Sequence, residues 1–260
     1  MIHVSSPISS PRFDYVLNFL SEYFGEAFVR TDATDADLAY GEVSARVIIQ
    51  PAGLLSETGV RALDPSVAPH RAGFPVLFPN DSTFGFDLFA GIFYLLTRYE
   101  EYGLHPKDAY GRYVHTASLA FRHGFLREPL IHQWLEYLAQ GLWGRDFRPP
   151  FRFRPTYDID MAWSYRHKGF VRNAGGLLRS LLYRDGKAGE RLRVLLRGAC
   201  DPFDCYDFLD ELHGRLPVAP HYFIHTGTRR TVYDKNIPLQ QPAMQALVRR
   251  LYRNAAVGLH

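Results

Sequence analysis

A chain of 260 residues exceeds the roughly 100–200 residues of one ordinary domain, so two folded parts, or one domain and a piece of another, are expected. With 47% hydrophobic and 15% aromatic residues, it is too apolar for a disordered chain. The 30 Lys and Arg against 27 Asp and Glu leave a net charge of only +3. No basic run is long enough to follow a phosphate backbone, and Arg148, Arg152 and Arg154 are interrupted by prolines and aromatics, so nucleic acid is not an expected partner.

Met1 to Pro11 is polar and proline-bearing, without the apolar centre of a secretory leader, and no uncharged stretch of about 18 apolar residues follows. A cytoplasmic location without a membrane-spanning segment is therefore expected. Cys200 and Cys205 stand in Cys-Asp-Pro-Phe-Asp-Cys, a spacing that suits neither a zinc knuckle nor a redox pair, and both are read as free thiols.

Phe13, Val16, Leu17, Leu20, Tyr23 and Phe24 recur at helical spacing, with Ser10 and Pro11 suited to start a helix and Gly25 to stop it. After an acidic turn near 32–37, Val43 to Ile49 reads as a strand entering a core, and Phe74 to Phe78 as a second, short one. Asp87 to Tyr102 predicts one buried helix ending before Gly103, and Pro129 to Leu142 an amphipathic helix with Gly144 beyond it.

The texture changes at 145–150, which is short, polar and rich in proline. Residues 1–148 are expected to form an N-terminal α/β domain. The remainder, 149–260, opens on a strand from Phe151 to Tyr157 and then reads as helix (203–216), strand (220–224), helix (242–254) and strand (255–259), the alternation of parallel α/β winding. An apolar strand ending at His260 leaves a parallel sheet unfinished, so truncation of a longer protein is expected.

Asp158 and Asp160 fall at the end of the predicted strand, the edge where α/β sheets collect catalytic groups. At i and i+2 they share one face of an extended strand. A cation relieves their mutual repulsion, one carboxylate ligating it while the other acts as base; the alternative is a pair of aspartates capping the next helix.

Thr156-Tyr157-Asp158-Ile159-Asp160 resembles the first motif of the NodB-like polysaccharide deacetylases, a Thr-Phe-Asp-Asp-type signature that some members write as Asp-x-Asp. Residues 162–169, Asp201-Pro202-Phe203-Asp204, Tyr233-Asp234-Lys235-Asn236 and Val257-Gly258-Leu259-His260 look like a bacterial branch of that family in which an accessory domain of unassigned role precedes the barrel. The segment from Asp87 to Tyr102 and Gly111-Arg112-Tyr113 carry the likeness of residues 1–148 to that accessory domain. The resemblance implies an α/β fold ending in the first part of a NodB-like (β/α) barrel and a metal-dependent deacetylase-like hydrolase acting on N-acetylated or O-acetylated polysaccharide or a glycan precursor. It implies Asp158 as general base, Asp160 and His260 as ligands of a divalent metal, zinc first, and a further histidine ligand beyond His260.

Two other functions compete. One is a non-catalytic accessory protein of surface-polysaccharide biosynthesis that binds glycan or a partner. The other is a different Asp-x-Asp enzyme, a phosphohydrolase or glycosyltransferase, against which Ala162 counts, since a phosphatase loop places Thr or Val there. His221 and His225 flank a strand and read as surface or loop-lining groups. His167, between Arg166 and Lys168, reads as electrostatic. Trp163 and Tyr165 read as core rather than sugar platforms, and Arg249, Arg250 and Arg253 as a solvated helix face.

Overall fold

Strand β1 (Ile2–Ser5) turns Ile2 and Val4 into an apolar interior, and the chain then enters helix α1 (Pro11–Phe24). The helix starts because the Ser10 hydroxyl accepts the Phe13 N–H and Pro11 needs no hydrogen-bond partner, and it stops at Gly25 in the left-handed conformation. Its buried face is Phe13, Val16, Leu17, Leu20 and Phe24. Strands β2 (Phe28–Thr31), β3 (Leu38–Tyr40) and β4 (Val47–Ile49) complete a four-stranded parallel sheet in the order β2-β1-β3-β4. The structure is a computed structural model that describes residues 1–33, 35–42, 44–227 and 235–260; Val43, Tyr233 and Asp234 lie outside them. Of the strand expected from Val43 to Ile49, the described residues Val47–Ile49 pair with β3 as β4.

An antiparallel pair, β5 (Val67–Pro69) and β6 (Pro75–Leu77), precedes helix α2 (Leu88–Leu96). Asp87, fully buried, organises this region. Its carboxylate accepts the Ala90 N–H to cap α2, the Ala52 N–H and the Tyr40 hydroxyl. The Tyr40 ring stacks on Phe13 and on Phe89, with centroids 5.4 and 4.9 Å away. The single helix expected from Asp87 to Tyr102 is broken. Thr97 turns both its N–H and its hydroxyl onto the Phe93 carbonyl, Arg98 is left-handed (φ 51°), and a 3-10 turn, Tyr99–Tyr102, follows. The reversal buries Tyr99, which a continuous helix would carry onward.

Helix α3 (Leu119–Arg122) is one turn, and α4 (Leu130–Trp143) brings Trp134 against α2. A Cβ at Gly91 would lie 2.9 Å from the Trp134 ring. That ring cannot move aside, being wholly buried with its indole N–H donating to the Pro75 carbonyl, so only glycine permits the helices to approach this closely.

The chain divides into two units, Met1–Pro150 and Phe151–His260. In the second, β7 (Thr156–Ile159) is followed by α5 (Phe170–Tyr183), α6 (Lys187–Leu196), α7 (Tyr206–Gly214), β8 (His221–Ile224), α8 (Pro242–Tyr252) and β9 (Ala256–Leu259). The expected strand from Phe151 is corrected to begin at Thr156, where pairing with β8 starts; Phe151 and Phe153 project into solvent. Helices α5 and α6 fall where no element was expected. Their apolar residues are mostly exposed, and Gly175, Gly176 and Gly189 dilute the helical pattern.

The three strands pair in parallel in the order β7-β8-β9. One face packs Ile159, Tyr222 and Ile224 against Trp163, Met244, Leu247 and Leu251. This is a mixed α/β protein with parallel sheets, and the second sheet is open among the described residues, with no closed barrel.

Burial pushes the Asp87 carboxyl up to about 6 against the hydrogen bonds that favour its ionised form. A carboxyl raised in the folded state binds its proton more tightly there, so its contribution to stability falls as pH rises from about 4 to about 6. In urea titrations the stability of the native protein relative to Asp87→Asn should therefore decline by up to about 3 kcal/mol across that window; a gap that stays constant with pH would contradict this.

Candidate functional site

The ladder of the second sheet aligns Asp158 with Phe223 and Gly258, and Ile159 with Ile224 and Leu259. One residue further on, the backbone still pairs: the His225 N–H donates to the Ile159 carbonyl and the His260 N–H to the Ile224 carbonyl. Asp160, His225 and His260 thus stand in one row just beyond the carboxyl ends of three parallel strands. Because side chains alternate, that row shares its face with Asp158, opposite the apolar face of Ile159, Tyr222 and Ile224. Gly258 suits this face because the Phe223 ring lies 3.0 Å from where a Cβ would be.

His260 bridges the two aspartates. Its Nε2 is 3.4 Å from Asp158 Oδ2 and its Nδ1 is 3.4 Å from Asp160 Oδ1. The three residues singled out from the sequence are therefore together, with both carboxylates well exposed. His225 is the neighbour read from the sequence as a surface or loop-lining group; its ring centroid is 6.3 Å from that of His260. The signal that would have found it is parallel register, since Asp160, His225 and His260 each follow a strand's last paired residue.

The turn after β7 is held by side chains from distant parts of the unit. Asn236, buried, accepts the Ala162 and Ile237 N–H groups through Oδ1 and donates to the Ile159 carbonyl. Tyr206 donates its hydroxyl to the Ala162 carbonyl. Asp201 accepts four backbone N–H groups, from Ser164, Tyr165, Arg166 and Phe203. Arg166 pairs with Asp204 at 3.3 Å and donates to the Ala199 carbonyl. The segments 162–169 and 201–204, with Asn236, thus form one scaffold under the aspartates.

Trp163 and Tyr165 are buried, as core residues, and the His167 ring packs edge-on against Trp163 with centroids 4.6 Å apart. Lys168 lies over Met161, the residue after Asp160, and burial, followed by the nearby Arg172, holds its amine down at about 8. Cys200 and Cys205 are free and exposed.

Donors around a tetrahedral ion with bonds of about 2.1 Å lie about 3.4 Å apart, the separation of Asp160 Oδ1 and His260 Nδ1. A carboxylate oxygen and an imidazole nitrogen are also the right donor types for zinc. In number they are one short of the three protein ligands of a catalytic zinc, and among the described residues no group of three or more His, Cys, Asp or Glu side chains is arranged to hold a metal. In donor type and spacing, though not in number, the pair matches what a zinc ion takes from protein.

Residues 2–145 match a family of unknown function, DUF7033, and the chain belongs to that family. The matched residues end before β7, so the aspartates and histidines of the second unit lie outside them. Neither the curated proteins nor the solved structures yield a match.

Burial raises the Asp201 carboxyl, but the four N–H donors outweigh it and hold the group below its ordinary value. Its contribution to stability is present at neutral pH and is lost as pH falls through the folded-state value. Asp201→Ala leaves those donors without an acceptor and should destabilise the second unit by roughly 3 kcal/mol. Amide exchange at Ser164, Tyr165 and Arg166 should accelerate at least tenfold; unchanged protection there would show that the scaffold does not depend on this carboxylate.

Proposed function

We propose that the chain is part of a metal-dependent, deacetylase-like hydrolase acting on N-acetylated or O-acetylated polysaccharide or a glycan precursor. The reading rests on the convergence of Asp158, Asp160 and His260 at one edge of a parallel sheet, together with the likeness of Thr156 to Asp160 to the first motif of the NodB-like polysaccharide deacetylases. That likeness extends the sheet of the second unit to the opening part of a NodB-like barrel. Asp160 and His260 would hold the divalent ion, with zinc favoured by their donor types. The ion, when bound, supplies Lewis-acid polarisation of an acyl carbonyl and acidifies water.

The protein's own residues divide the remaining work. Asp158, exposed and on the far nitrogen of the His260 ring from Asp160, is the general base that accepts the proton of the attacking water. Its contact with the second ring nitrogen also fixes the imidazole's orientation and tautomer, as a carboxylate behind a metal-binding histidine does. Asn236 and Asp201 keep the turn after Asp160 from moving, which preserves the spacing of the two carboxylates.

The ligand count favours a second reading, a non-catalytic protein that binds glycan on the same open face, because two protein donors hold zinc weakly against water.

Equilibrium dialysis of the 260-residue chain against zinc separates the two. The deacetylase reading expects one equivalent of zinc, bound at least about tenfold more weakly by Asp160→Ala and by His260→Ala. Zinc binding that Asp160→Ala leaves unchanged would sink the ligand assignment. Absence of zinc binding together with binding of N-acetylglucosamine oligomers would select the non-catalytic reading.

A further inference from the structure

Helices α5 and α6 expose an apolar stripe that nothing in the second unit covers. On α5, Val171, Leu178, Leu181 and Leu182 are 82%, 60%, 61% and 72% exposed. At i, i+7, i+10 and i+11 they fall on one side of the helix and form a continuous face. The inward side of the same helix carries Ser180, its one buried residue. On α6, Leu192, Leu195 and Leu196 repeat the pattern at i, i+3 and i+4, opposite the buried Val194. Contiguous exposed apolar surface of this kind marks a binding face rather than ordinary scatter.

Its charge identifies the occupant. Residues 166–197 contain nine Lys or Arg against Asp185 and Glu190, a net charge of +7, while the whole chain carries +3, so the rest of the chain is negative by four. Arg179, Arg184, Arg193 and Arg197 are exposed and make no ion pair among the described residues. Arginines flanking a leucine face, in a helix that cannot span a bilayer, are the composition of an interfacial membrane helix. A second copy fits poorly, since pairing two such faces would bring like charges together.

We propose that the α5–α6 hairpin docks on an anionic membrane surface, with the leucine stripe entering the headgroup–acyl boundary and the arginines meeting lipid phosphates and acidic headgroups. The apolar stripe supplies insertion, and the charge supplies selectivity for anionic lipid. This surface is independent of the reading of the aspartates and stands whether or not the chain binds metal.

The test is co-sedimentation of the full chain with vesicles of phosphatidylcholine, alone or with about 30% phosphatidylglycerol. Partitioning onto the anionic vesicles should exceed that onto the neutral ones at least about tenfold and should weaken severalfold when salt shortens the Debye length to about 3 Å. Leu178→Gln with Leu182→Gln, at exposed positions that leave the fold intact by circular dichroism, should lose most of the binding. Equal partitioning onto both vesicle types, no partitioning at all, or binding unchanged in the double variant would overturn the proposal. A dimer in solution that the double variant dissociates, without vesicle binding, would assign the face to a second copy and overturn it as well.

Discussion

The candidate site depends on the in-register parallel pairing of β7, β8 and β9. Register decides which side chains share a face, and a slip by one residue would send Asp158 and Asp160 to the apolar side and leave Ile159 in water. Three features resist such a slip. Ile159, Tyr222 and Ile224 are buried together on the core face, Gly258 accepts the Phe223 ring on the other, and the ladder continues past the strands through the His225 and His260 N–H groups. The chemistry-bearing row is thus an extension of the hydrogen-bonded sheet rather than a chance meeting of loops.

Both units solve a similar problem in the same way. A buried carboxylate gathers backbone N–H groups that would otherwise lack partners, Asp87 at the start of α2 and Asp201 under the turn that follows β7. The two differ in how burial balances hydrogen bonding. Complete burial and fewer N–H donors leave Asp87 raised, whereas four donors hold Asp201 low. A rigid turn made in this way is what lets short, exposed aspartate side chains keep a fixed spacing.

Much of this was legible in the sequence where local signals and tertiary structure agree. Ser10, Pro11 and Gly25 bound α1, and the apolar spacing of Leu130, Trp134 and Leu138 marks α4. Asp158, Asp160 and His260 were singled out from the likeness of their two segments to the NodB-like family, and the structure brings the three side chains together. The misses have physical causes. Thr97 and Arg98 break a helix whose apolar pattern runs on, because the break is made by a backbone reversal that buries Tyr99. Phe151 and Phe153 alternate as a strand does but pair with no strand among the described residues. Helices α5 and α6 escape a reading based on buried faces because their apolar face is outward. His225 could be placed only once the register of β7, β8 and β9 was known, and the scaffolding roles of Asp201 and Asn236 involve residues about 40 and 75 positions away, beyond any local pattern.

The central proposal is that Asp160 and His260, at the edge of the sheet, bind a single metal ion. Zinc-edge X-ray absorption on the zinc-loaded chain tests it most directly. The account predicts oxygen and nitrogen neighbours at about 2.0–2.2 Å, with an imidazole scattering pattern that loses one imidazole in His260→Ala. A spectrum of hydrated zinc, or one whose imidazole contribution is the same in the His260→Ala variant, would contradict it.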